Sequence, residues 1–201
     1  MRRAEPPSVI VVAGPPCAGK SGVAVRIATA LDIPHLEMDR ARARILPDSD
    51  QRVEHRDIAY RAMHYAAEQL LLRGTSVVLD ATYTASVCRR DALEMTDRAG
   101  ATFYLFECEV PPAVARERFR TRADHPAVDL TPARVAMLAD EYPYFDRACR
   151  VRTLVAGDAH PSRLLEHLRS QPLDIIARIA WRQLGRPRER SQQPGMASVV
   201  R

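Results

Sequence analysis

Long apolar runs are missing from this 201-residue chain. None approaches the roughly 20 residues that a helix needs to cross a bilayer, so no membrane partner is expected. The opening Met1-Arg2-Arg3-Ala4-Glu5-Pro6-Pro7 is too short and too polar for a signal peptide, which points to a cytoplasmic protein. Cysteine is scarce as well, and Cys17, Cys88, Cys108 and Cys149 lack metal-ligand spacing, so they read as buried small side chains or incidental thiols. His55, His64, His125, His160 and His167 form no ligand set either, and no internal repeat is present. With 46% apolar and 27% charged residues, the composition suits one soluble domain with a real core. The net charge of +5 suits phosphorylated ligands. Much of the excess lies near the C-terminus, in Arg178, Arg182, Arg186, Arg188, Arg190 and Arg201. Such a stretch is either a nucleic-acid arm or a solvated end, so basicity alone does not nominate a polynucleotide substrate.

What is present is concentrated near the start. Gly14-Pro15-Pro16-Cys17-Ala18-Gly19-Lys20-Ser21 satisfies G-x-x-x-x-G-K-[ST], and Gly22 follows it. The apolar run Val9 to Ala13 predicts a buried strand leading in, and Ser21 to Leu31 predicts the helix leading out. Glycines at both ends let backbone N–H groups turn inward toward phosphate oxygens, where a Cβ would intrude. Lys20 would place its charge on the β/γ-phosphates, and Ser21 its hydroxyl on Mg²⁺, with the helix N-terminus adding partial positive charge. The pattern predicts binding of a nucleoside triphosphate, with ATP and Mg²⁺ as the expected cofactors.

Short apolar runs then alternate with helical stretches, which predicts an α/β fold with a parallel sheet and helices on both faces. Strands are expected at 35–38, 76–80, 102–108 and 151–155, making five with the first. A polar stretch is expected from Arg40 to Asp50, then a helix over 53–72 with Ile58, Ala62, Tyr65, Ala66 and Leu70 at helical spacing. Further helices are expected at 86–99, at 113–122 and after Thr131, which can cap one that has Pro132 in its first turn. The main domain should span residues 1–170, with a helical lid at about 112–131. Residues 171–201 would hold an amphipathic helix bearing Ile175, Ile176, Ile179 and Trp181, then a basic tail.

Ligands of open α/β sheets gather at the carboxyl ends of the strands. Asp39 and Asp80 both fall at predicted strand ends, beside the Gly14–Ser21 loop. Asp39 could serve as a general base for an attacking hydroxyl, and Asp80 as an acid that orients Mg²⁺. Either could instead be a helix N-cap, where Asp is favoured for its own reasons. Arg89 and Arg90 could reach an acceptor phosphate or merely line a solvated face. The segment Tyr142-Pro143-Tyr144-Phe145 could pack on the core or border an acceptor pocket.

Four separated motifs resemble the P-loop kinases of the "AAA domain" kinase-like group, which includes polynucleotide 5′-hydroxyl kinases and is more distantly similar to zeta toxins. They are the Gly14–Ser21 loop, Met38-Asp39-Arg40-Ala41-Arg42, Gly74 to Tyr83, and Pro112 to Arg122 with Arg116, Arg118, Arg120 and Arg122. The resemblance implies a P-loop NTPase three-layer sandwich with an Arg-rich helical lid. It also implies that Asp39 activates the acceptor hydroxyl, that Arg42 grips an anionic group of the acceptor, and that Arg118 and Arg122 embrace the transferring phosphates. Two departures bear on the acceptor: Asp39 is followed by Arg40 where relatives often have a second acid, and Tyr83 stands near a common Asn. Tyr83 and Arg90 are therefore candidate acceptor contacts along with Asp39, Arg42 and Asp80.

The expected activity is ATP-dependent transfer of the γ-phosphate to a hydroxyl of a small molecule such as a nucleoside, sugar or antibiotic. A polynucleotide 5′-hydroxyl kinase is the alternative, and a non-catalytic nucleotide switch is a second one. The sequence leaves the oligomeric state open.

Overall fold

The apolar run at the head of the chain forms the central strand of the sheet. In a computed structural model, residues 6–47, 53–121 and 130–144 are described in full and residues 150–152 as backbone. Strand β1 (Ser8–Ala13) lies between β3 (Val77–Asp80) and β4 (Thr102–Glu109), all parallel. Strand β2 (His35–Glu37) extends the sheet beyond β3, and the short β5 (Arg150–Arg152) lies on the far side of β4. The order is β2-β3-β1-β4-β5. Of the fifth strand expected at 151–155, residues 150–152 are strand and the rest lies outside the described residues. β1 and β3 are apolar without alternation because both their faces are covered.

On one face, Val9, Val11, Ala13 and Leu79 pack against α3 (Val53–Leu71) and α4 (Ser86–Arg98). On the other, Ile10, Val12, Val78 and Phe106 pack against α1 (Lys20–Leu31), α5 (Pro112–Thr121) and α6 (Pro132–Asp140). The result is the expected three-layer arrangement. Thr131 caps α6 as predicted, its hydroxyl accepting the Arg134 N–H at 3.2 Å.

Two readings of the sequence need correction. Strand β2 stops at Glu37, and α2 (Met38–Ile45) begins at once, so Asp39 sits in a first helical turn rather than at a strand end. The supposed polar stretch is thus helical as far as Ile45. Arginine and alanine alternate there, and both are strong helix formers that leave no apolar periodicity to read. The buried face of α3 was also misassigned: Ala59, Tyr60, Met63, His64, Ala67 and Leu71 face inward, whereas Ile58 and Tyr65 are 44% and 66% exposed. Polar Tyr60 and His64 win the inward positions because the turn after β3 offers them partners.

That turn is the tightest polar cluster in the core. Tyr83 is wholly buried with φ 52°, a left-handed conformation that costs a bulky residue roughly 1–3 kcal/mol and persists only where its surroundings fix it. Its N–H donates to the Tyr60 hydroxyl at 2.8 Å, and its own hydroxyl lies 3.0 Å from His64 Nε2. Tyr83 and His64 stack with ring centroids 5.9 Å apart, and Tyr60 meets Tyr83 edge-on at 5.3 Å. Burial pushes the His64 imidazole down to about 4 from 6.5, so it folds neutral.

The unfolded chain therefore binds a proton at His64 that the folded chain refuses between pH 6.5 and about 4. The stabilisation from a neutral His64 is complete above pH 6.5 and is lost as pH falls through that window. Urea unfolding at pH 7 and pH 5 should show a decline that His64→Gln reduces; an unchanged pH slope in the variant would remove His64 as its source.

Candidate active site

The phosphate-binding turn is built against the sheet. Gly14 has φ 143°, and a Cβ there would overlap the carbonyl oxygen of Cys108 on β4. Only glycine permits so close an approach. Gly19, at φ 88°, starts α1, and the Ala18 N–H returns to the Pro15 carbonyl at 3.3 Å. Lys20 Nζ donates to that same carbonyl at 2.9 Å, which curls the ammonium over the loop. Lys20 is the sole lysine of the chain; every other cation among the 30 Lys and Arg residues is arginine. Ser21 and Gly22 are exposed in the first turn of α1. Cys17 has φ 60° and a half-buried thiol, while burial pushes the Cys108 thiol up to about 12 and makes it inert.

Beside the loop lies a row of acids. Asp80 is 2% exposed, and it stands level with Val12 on β1 and Glu37 on β2. Its Oδ2 accepts no hydrogen bond; His35 Nε2, at 3.6 Å, is too far. Burial and the neighbouring Asp80 and Asp39 raise the Glu37 carboxyl. A buried carboxylate oxygen without a donor fits a cation or its water shell. Among the described residues no group of three or more His, Cys, Asp or Glu could hold a metal by itself. A Mg²⁺ ion here would take its remaining ligands from water and phosphate, as that ion usually does.

Asp39 sits one turn from Arg42, whose guanidinium is buried and 3.7 Å from the Asp39 carboxylate. The pair fixes the acid's direction while leaving it 36% exposed. From the other side, Arg118 on α5 donates to the Cys17 carbonyl at 3.2 Å, so this arginine lies directly on the Gly14–Ser21 loop. Arg116 and Arg120 on the same helix are exposed. Arg122 lies outside the described residues.

Two predicted acceptor contacts lie elsewhere. Tyr83 belongs to the core, where its hydroxyl meets His64, because the left-handed turn throws the ring inward. Arg90 faces solvent and approaches Glu94 at 3.8 Å along one face of α4. Its neighbour Arg89 turns inward as a clamp: it donates to the Tyr83 and Pro143 carbonyls at 2.5 Å each and to the Thr84 carbonyl at 3.4 Å. Tyr142, beneath that guanidinium, donates its hydroxyl to the Thr82 carbonyl. The same carbonyl receives the Gly14 N–H at 3.5 Å.

Three site residues escaped sequence reasoning. Arg56 on α3 donates to the Thr82 hydroxyl at 3.4 Å, and the Tyr60 hydroxyl lies 3.2 Å from the same oxygen. The i, i+4 spacing of Arg56 and Tyr60 places both on one helix face, which was the available signal.

Residues 9–142 match the family described as AAA domain. No curated protein matches the sequence. Among solved structures, a proposed kinase from Chloroflexus aurantiacus J-10-fl is similar at TM-score 0.72 and 21% identity, over 82% of this chain and 98% of that one. The APS kinase CysC of Mycobacterium tuberculosis, in complex with AMPPNP and APS, is similar at TM-score 0.64 and 18% identity, over 83% and 100%. A gluconokinase from Sinorhizobium meliloti 1021 is similar at TM-score 0.56 and 20% identity, over 90% and 94%. Such identities speak to the fold alone.

Gly14→Ala should abolish nucleotide binding or folding, because the methyl group has no room beside Cys108. A calorimetric titration with ADP that gave wild-type affinity for this variant would contradict that packing argument.

Proposed function

We propose, for a chain that belongs to the AAA domain family and shares the fold of P-loop kinases, that it transfers the γ-phosphate of ATP to a hydroxyl of a small molecule. The observation that carries this reading is the contact of Arg118 with the Cys17 carbonyl. A lid cation resting on the phosphate loop is of little use to a passive nucleotide switch, but it suits a reaction whose charge spreads over the transferred oxygens.

The roles follow from position. Lys20 gives up the Pro15 carbonyl and meets the β/γ-phosphates. Asp39, aimed by Arg42, takes the proton of the attacking hydroxyl. Arg118, together with Arg122, offsets the charge that develops on the transferring group. Mg²⁺ held through Ser21 and Asp80 would neutralise phosphate charge and keep the donor in line for attack. The net charge of +5 keeps an oligonucleotide 5′-hydroxyl as the second reading.

ADP release measured against nucleosides, sugars, antibiotics and a 5′-hydroxyl oligonucleotide tests this directly. Turnover of a small alcohol that is insensitive to salt supports the first reading; turnover of the oligonucleotide that falls steeply with salt supports the second. With the active acceptor, Asp39→Asn should lower kcat by about 10²–10⁴-fold, as expected for a lost general base. Full activity in that variant would overturn the role of Asp39. Arg118→Ala should lower kcat more than it raises KM, since a lid charge acts chiefly in the transition state. An effect confined to KM would count against it.

A further inference from the structure

Beside the turn after β3 lies a group of hydrogen-bond donors with capacity to spare. Arg56 is half-buried on α3, and among the described residues its guanidinium makes one hydrogen bond, the long one to the Thr82 hydroxyl, and no ion pair. A guanidinium has five N–H donors in a planar fork, so most of that capacity is open. Thr82 stands two residues beyond Asp80, and its backbone carbonyl holds the first glycine of the phosphate loop, which puts Arg56 at the mouth where strands β1 and β3 end.

The hydroxyl pair beside it points the same way. Tyr60 and Thr82 have two hydroxyl protons between them, and one is spent on the bond that joins their oxygens at 3.2 Å. The Tyr60 oxygen already accepts the Tyr83 N–H, and the Thr82 oxygen accepts from Arg56. Tyr60 is 4% exposed and Thr82 only half-buried, so the spare proton belongs on Thr82. The Arg56 guanidinium and the Thr82 hydroxyl thus lie side by side, and both can donate. Their complement is a group rich in acceptor oxygens and negatively charged.

The resemblance assigns an anionic group of the acceptor to Arg42, but that guanidinium is buried beside Asp39; we infer that the group, a carboxylate, sulfate or phosphate ester, is bound instead by Arg56 with the Thr82 hydroxyl. This rests on the phosphotransferase reading and narrows it: neutral sugars and polycationic antibiotics are poor fits, whereas sugar acids, sugar phosphates and nucleotides are good ones. Arg56 is then a specificity-determining residue that acts on binding of the acceptor.

The experiment has two arms on the full chain. In the first, ADP release is compared for matched pairs that differ by one charge: glucose and gluconate, ribose and ribose 5-phosphate, a nucleoside and its 3′-monophosphate. The active anionic member should exceed its neutral partner in kcat/KM, and Arg56→Gln should cost roughly 10- to 100-fold, mainly in KM, the worth of a charge-assisted pair. Arg56→Lys should recover part of the loss. Equal use of neutral and anionic partners, or a gap that survives Arg56→Gln, overturns the inference. In the second arm, sodium sulfate is titrated calorimetrically into wild type and Arg56→Gln, both saturated with ADP and Mg²⁺ so that the donor site is filled. Sulfate binding that is lost in the variant supports the subsite even if no acceptor is turned over, in which case the kinase reading fails and the subsite stands. Sulfate binding that is absent, or indifferent to Arg56, overturns the subsite whatever the turnover. A rise in melting temperature with ADP shows that the variant is folded.

Discussion

The carbonyl oxygen of Thr82 joins the halves of this molecule. It accepts the Gly14 N–H, which starts the phosphate loop, and the Tyr142 hydroxyl, which anchors the segment after α6. One residue later the chain turns left-handed at Tyr83, and the Tyr60, His64 and Arg89 side chains all converge to hold it there. Helices α3 and α4, strand β3, the loop and the Tyr142 segment are thereby tied to two consecutive peptide units. Removing any one of these partners would strand buried polar groups, whose desolvation costs about 1–3 kcal/mol each.

Against that fixed frame, the groups of the donor site are held in arrangements that a ligand can improve. Lys20 spends its charge on a neutral carbonyl, and Asp80 keeps a buried oxygen without a donor. Both are poor bonds for ions and good ones to exchange. The backbone that carries them is not free to follow: Gly14 is wedged against β4, and α1 is packed through Val23, Ala24 and Ile27 onto the sheet. Preorganised backbone with exchangeable side chains is what phosphoryl transfer asks of a protein, since the chemistry consists of positioning and charge.

The donor loop was legible in the sequence because its geometry is local: two glycines, a lysine and a serine within eight residues, bracketed by a strand and a helix. The sheet was legible because strands buried on both faces are apolar throughout. The cluster around the turn after β3 was not, because it is assembled from residues far apart in the chain. Arg56 and Thr82 lie 26 positions apart, and Arg89 and Pro143 lie 54 apart. Tyr83 misled for a related reason. A tyrosine just past a strand-end acid looks like a cleft residue, and nothing in its neighbours announces the left-handed turn that folds it into the core. In α3, residues were sorted by hydrophobicity, whereas the turn sorts them by hydrogen-bonding capacity, which brings His64 in and puts Tyr65 out.

Thr82 serves the loop through its main chain and meets Arg56 and Tyr60 through its side chain, and these two duties are chemically separable. Any residue at that position would present the same carbonyl to Gly14 and Tyr142, so the mooring of the loop is indifferent to which side chain evolution writes there. Only the hydroxyl, with Arg56 behind it, is free to change. Under the proposed function, a fold arranged in this way can alter what it accepts by substitution at one or two positions while the loop that would deliver the phosphate stays untouched.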